Sequence, residues 1–159
     1  MAGTRCILVL GCALACGCAE STAPVQAGLT GRWDVAFSVS GQVETAWARC
    51  SGVLYLTLTQ TDTLLTGQID PRPSLEAMSC RISASGLTLG IPAPYTVAGT
   101  VTAAGRIHLV VPFFPDSLVF VSSGPPLAGV ATSTFPAPDT SGTMISVPLT
   151  GAFQLVRAP

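Results

Sequence analysis

Large apolar residues recur at every second position through most of this chain, and that alternation confines it to pleated sheet with one buried face. In Trp33-Asp34-Val35-Ala36-Phe37-Ser38-Val39 the odd positions are large and apolar. Leu54, Leu56 and Leu58 share one face of the next run, and Tyr55, Thr57 and Thr59 the other. Ile107, Leu109 and Val111 alternate with His108 and Val110, and Phe153 and Leu155 with Gln154 and Val156. β-branched residues are dense, as a pleated surface favours. No stretch holds a helical period for three turns, and 13 prolines and 16 glycines interrupt any that begins.

The pattern predicts strands near 30–39, 51–61, 63–69, 78–88, 95–102, 105–112, 117–122, 126–134, 142–147 and 149–157. Turns fall at Gln60–Thr63 and Ala103–Gly105. A triplet of apolar, small and glycine repeats at Leu29–Gly31, Leu65–Gly67, Val97–Gly99, Leu127–Gly129 and Leu149–Gly151. Glycine inside a strand marks a bend or a close backbone approach, and its repetition suits a sheet that curls. The expected fold is all-β: a single antiparallel up-and-down β-barrel of about 8–10 short strands, closed so that no edge is left unpaired.

At 159 residues the chain has room for one domain. Apolar residues make up 48% and charged residues 9%, the opposite of the balance that keeps chains disordered. There is no lysine, the net charge is −1, and no basic stripe runs along any segment, which excludes a nucleic-acid partner.

The first residues read as an address. Arg5 precedes an apolar run from Cys6 to Ala15, too short for the roughly 20 residues of a membrane span. Small residues crowd its end, which is the pattern of a signal peptide over residues 1–17. Leu14-Ala15-Cys16-Gly17-Cys18 resembles the lipobox of bacterial lipoproteins, in which small residues precede the cysteine that becomes lipidated. Cys18 leaves the longer apolar run before the cut, with Cys16 as the alternative. Residues 18–28 are small, polar and proline-containing, and read as a flexible tether to a barrel domain at 29–159. By the same resemblance, Ala19 rather than aspartate after Cys18 implies sorting to an outer membrane, facing the periplasm or the surface. The membrane partner is then engaged through the lipid anchor.

Two cysteines remain in the body, Cys50 and Cys80. In an oxidising compartment they are expected to form one disulfide, closing a loop of 30 positions. No four-ligand set accompanies them, so neither a metal nor another cofactor is expected.

Gly31-Arg32-Trp33 resembles the Gly-x-Trp motif on the first strand of the lipocalin- and avidin-like barrels, the calycins. In that family a basic residue near the end of the last strand packs over the tryptophan, and Arg157 stands in that place here. The resemblance covers about residues 29–157 and implies barrel closure by Trp33 and Arg157, a cation–π pair. The chain departs from the family in lacking a Thr-Asp-Tyr run, of which Thr61-Asp62-Thr63 is a partial echo, and it carries no biotin-binding pattern. A membrane-spanning barrel would carry a lipid-facing apolar stripe on every strand and end in an aromatic residue. This chain ends Arg157-Ala158-Pro159, and Thr, Ser, Gln and Arg predominate opposite the core, so the barrel is expected to face water.

The carboxylates form no acid–base pair along the sequence, His108 is the single histidine, and no nucleophile elbow, zinc-helix motif or phosphate loop is present. The protein is therefore expected not to be an enzyme. Trp47, in the Gln42–Arg49 segment taken as a loop, and Phe113 and Phe114, between Pro112 and Pro115, are candidates for contact with a ligand or partner; the alternative is that they plug the barrel. The expected function is that of an exported, lipid-anchored, non-enzymatic β-barrel protein binding a small apolar ligand in the barrel. The alternative is an envelope interaction or inhibitor protein that binds a protein partner through its loops. An inward face filled by Trp33, Phe37, Leu56, Phe120 and Phe153 would favour the alternative.

Overall fold

A computed structural model describes residues 28–83, 86–87, 91, 93–113, 116–122 and 127–159. Its geometry is set by its first two strands. β1 (Gly31–Val43) and β2 (Ala46–Thr61) pair antiparallel from Gly31 opposite Leu58 to Val43 opposite Ala46. A two-residue turn joins them, with Glu44 at a positive φ of 52°. The segment from Gln42 to Arg49, expected to be a loop, is thus a tight hairpin: its alternation continues as Ala46, Ala48 and Cys50 inward and Trp47 and Arg49 outward. The inward residues here are small, so the alternation carries little hydrophobic contrast.

The remaining elements are β3 (Leu64–Ile69), α1 (Pro71–Glu76), β4 (Ser79–Ile82), β5 (Gly86–Leu87), β6 (Thr96–Val101), β7 (Ile107–Pro112), β8 (Ser117–Ser122), β9 (Ala128–Pro138) and β10 (Met144–Arg157). Antiparallel pairing runs β1-β2-β3-β6-β7-β8-β9-β10, and β10 pairs back onto β1 from Ser40 opposite Thr150 to Trp33 opposite Arg157. Eight of the described strands therefore close a barrel, which leaves no open edge on the ring. β4 and β5 form a small flap on the side of β2.

β2 serves two partners in succession. Residues 48–51 pair with β4 and residues 56–61 with β3. Between them α1 covers the gap: the Tyr55 amide donates to Ser74 Oγ at 3.0 Å, and the Asp70 amide donates to the Tyr55 carbonyl at 2.9 Å. Proline at the first helical position suits a helix start, since its missing N–H would have no partner there. The expected strands at 142–147 and 149–157 are one strand, β10. Pro148 is tolerated because the β1 ladder ends at Thr150, beyond the proline, while β9 pairing continues past it.

The repeated glycines at 67, 99, 129 and 151 all face inward, each pressed by its neighbouring strand. A Cβ on Gly151 would run into the Ser38 carbonyl oxygen, and one on Gly99 into that of His108. These are the points where the sheet coils tightly enough to close.

An eight-stranded barrel is just wide enough for side chains to fill, and these fill it. Val35, Leu54, Leu109, Leu118 and Phe120 are fully buried. Phe37 meets Phe113 edge-on at 6.2 Å and Phe120 at 6.1 Å, and Phe120 lies 5.0 Å from Phe153. The outer face departs from the expected polar character in places: Val121 and Val130, directly opposed on β8 and β9, are 46% and 51% exposed, and Val156 on β10 is 48% exposed.

Candidate functional site

The two ends of the barrel differ in chemistry. At the end where the described chain begins, the Trp33 indole Nε1–H donates to the Leu29 carbonyl at 2.7 Å. The Arg157 guanidinium carbon lies 5.7 Å from the Trp33 ring centroid, and its Nη2 donates to the Thr30 carbonyl at 3.1 Å. The structure thus brings Trp33 and Arg157 together as a lid over the core. Arg32, Asp34, Tyr55 and Asp70 border a shallow concavity beside it.

At the opposite, hairpin end Cys50 on β2 and Cys80 on β4 are direct cross-strand partners, with Cα atoms 4.1 Å apart and the sulfurs joined. This disulfide fixes what lies on the outer face. With residue 50 opposite residue 80, Arg49 must stand opposite Arg81, and Ser51 opposite Ser79. β1 adds Gln42 beside Trp47, Ser40 beside Arg49 and Ser38 beside Ser51. Three outward rows result: an exposed indole with an amide, two guanidinium groups with a hydroxyl, and three serines. A concavity of about 510 Å³ opens over this face, lined by Ser40, Gln42, Trp47, Arg49 and Arg81.

Polar contacts pin this end. The Thr140 amide on the β9–β10 hairpin donates to Thr45 Oγ1 on the β1–β2 hairpin at 3.1 Å, and the Ser83 hydroxyl donates to the Pro138 carbonyl. Within the β9–β10 turn the Asp139 carboxylate accepts from the Ser141 hydroxyl at 2.6 Å and from the amides of Ser141 and Thr143 at 2.8 and 2.9 Å. The Ser141 hydroxyl, foremost among these donors, holds the Asp139 carboxyl below its ordinary value of 3.8.

Of the candidate contact residues, Trp47 is 39% exposed and lies on the hairpin-end face. Of the two readings of Phe113 the structure has the plug and not the contact: it is completely buried, edge-on to Phe37, and continues the inward alternation of Ile107, Leu109 and Val111. Phe114 lies outside the described residues, as do Cys16 and Cys18. Arg49 and Arg81 went unremarked in the sequence, although the mirrored dipeptides Arg49-Cys50 and Cys80-Arg81, read across an antiparallel disulfide, place them face to face. Among the described residues no three His, Cys, Asp or Glu side chains gather. His108 projects outward from β7 between Thr100 and Val121.

A scan against protein-family models and searches of curated proteins and of solved structures found no match.

Proposed function

We propose that this chain is an exported, lipid-anchored, non-enzymatic binding protein, a calycin-like barrel whose packed core is a scaffold and whose outer surface engages a protein partner. The observation that carries this reading is the occupied interior. Phe37, Phe113, Phe120 and Phe153 meet ring to ring inside the barrel, and these four are at most 5% exposed. Ligand pockets are apolar clefts of roughly 300–1,000 Å³ that enclose most of the ligand. A concavity of about 510 Å³ lies instead over an outer face with an indole and two arginines, and another of about 580 Å³ is a shallow depression over Ala36, Ser38, Ala152 and Gln154 on the outside of β1 and β10.

Export and anchoring rest on the leader sequence and the lipobox-like run up to Cys18. The disulfide is in keeping with an oxidising compartment. β3, β6, β7 and β8 have six residues each, short of the roughly 9–11 that a bilayer-crossing strand needs. The test is native mass spectrometry of the full chain purified from its own host, with metabolic labelling by an alkyne fatty acid. Bare protein mass plus the lipid, with labelling lost in Cys18→Ala (or in Cys16→Ala, should that be the anchor), is the expected result. A non-covalent apolar molecule in the spectrum would overturn the scaffold reading, and label-free protein the anchoring.

A further inference from the structure

Arg49 and Arg81 present an arrangement that folding alone does not favour. Like charges placed directly across an antiparallel pair destabilise the sheet, and these two guanidinium groups are direct partners on the exposed face of β2 and β4. No carboxylate answers them: among the described residues the one ion pair is Arg72 with Glu76, on α1. Arg49 and Arg81 are two of the six arginines in the described segments, and the chain has no lysine. Of the other four, Arg72 has its carboxylate and Arg157 its indole, so the paired charge is concentrated at one place.

The surroundings state what kind of anion fits. Arginine forks match carboxylate oxygens in pairs, and two adjacent forks match more than one carboxylate. Trp47 stands one row from Arg49 on the same face of β2, about 7 Å along the strand. Ser51 and Ser79 stand one row the other way. An extended peptide also repeats its side chains on one face every second residue, at the same spacing. Laid along β2, such a peptide would set an apolar residue against the indole and an acidic residue, two positions on, between the arginines. The serine row lets its backbone lie close. The site lies toward the hairpin end of the barrel: Ser40, opposite Arg49, is nine residues along β1 from Gly31, about 30 Å of strand at 3.3 Å per residue.

We infer that the outer face of β1, β2 and β4, centred on Arg49 and Arg81 with Trp47 beside them, binds an acidic, extended peptide segment of a protein partner. The inference rests on the scaffold reading above and names the chemistry of the partner. Arg49 and Arg81 bind the carboxylates, Trp47 covers the apolar neighbour, and the disulfide one residue away holds the two strands in register. Attraction of this kind is screened by salt.

The experiment titrates the full chain with poly-L-glutamate while following the arginine Nε–H and indole N–H signals by NMR. The Arg49, Arg81 and Trp47 signals should move together, the buried Trp33 indole should stay, and affinity should fall at about 0.5 M salt. R49Q/R81Q should weaken binding at least about tenfold, and Arg106→Gln, an exposed arginine elsewhere, should leave it unchanged. R81E should abolish binding without lowering the thermal midpoint, since it pairs with Arg49. Equal loss in Arg106→Gln, or loss only in variants that unfold, would overturn the inference. So would tighter binding of polygalacturonate or of phosphatidylglycerol vesicles, which would assign the face to a sugar acid or a lipid. If poly-L-glutamate ignores Arg49 and Arg81 while the barrel carries no ligand, this inference fails and the scaffold reading stands. An apolar molecule inside the barrel would instead remove the reading on which it rests.

Discussion

Arg157, third from the end of the sequence, lies over Trp33, third residue of the first strand, and the two are direct partners across the seam where β10 meets β1. The cation–π contact and the bond from Arg157 to the Thr30 carbonyl are made only when the ring is closed. Together they should stabilise closure by about 1–2 kcal/mol. Arg157→Ala is therefore expected to lower the urea midpoint at unchanged m value, with Arg157→Lys intermediate because a single ammonium cannot cover the indole and reach Thr30 as the fork does.

Removal of the disulfide acts on the unfolded chain. Freeing a loop of 30 residues should cost about 3–4 kcal/mol by loop entropy. Paired Cys50→Ala and Cys80→Ala substitutions should show this in chemical denaturation. Because β4 has only four residues and the disulfide is its covalent tie to β2, amide exchange should rise first at Arg81 and Ile82.

Two buried serines should respond in opposite directions. Among the described residues Ser74 Oγ is the partner of the Tyr55 amide at the gap in β2, so Ser74→Ala leaves that amide unpaired and should cost about 1–3 kcal/mol. Ser133 Oγ is buried inside the barrel with no partner among the described residues, so Ser133→Ala removes a desolvated hydroxyl and should be neutral or stabilising. Thermal unfolding of the two variants side by side checks the contrast.

The inward glycines set how tightly the sheet can coil. Gly151→Ala would drive a methyl group into the Ser38 carbonyl, a rigid backbone neighbour at the closing seam. A loss of about 1–3 kcal/mol is expected, as for other overpacked sites. Ala152→Ser, one residue on and facing outward, should change stability little, and a midpoint comparison separates the two.

The β9–β10 turn should respond to acid. The Asp139 carboxyl is depressed by its bonds to Ser141 and Thr143, so its contribution is present above its ordinary value of 3.8 and is lost as pH falls through the lower folded value. The Ser141 and Thr143 amide shifts should hold steady from neutral pH down to that range and then move together. Asp139→Asn should remove the transition.

Much of the barrel is legible in the sequence because large side chains alternate with polar ones. Leu54–Leu58, Ile107–Val111 and Phe153–Leu155 declare their inward faces, and the glycine triplets mark where the sheet bends. The hairpin end is not legible that way. Ala46, Ala48 and Cys50 bury little area, so the strand that carries Trp47 and Arg49 reads as loop. Pro148 reads as a break because the sequence does not reveal that one of its ladders has already ended. α1 is a six-residue helix held by one serine, too short for any period. Phe113, beside a proline, reads as surface or plug, and continuation of the Ile107–Val111 alternation past Pro112 makes it the plug. The arginine pair follows from the sequence only after the disulfide is placed and its register counted outward.

The central claim is that the barrel is a filled scaffold, with recognition outside it. Methyl-resolved NMR of the full chain, with and without saturating long-chain fatty acid, tests this most directly. With a filled core, the methyl signals of Leu54, Leu109 and Leu118, all at most 1% exposed, are expected to stay where they are. Saturable movement of those core methyls, at one fatty acid per chain, would contradict it.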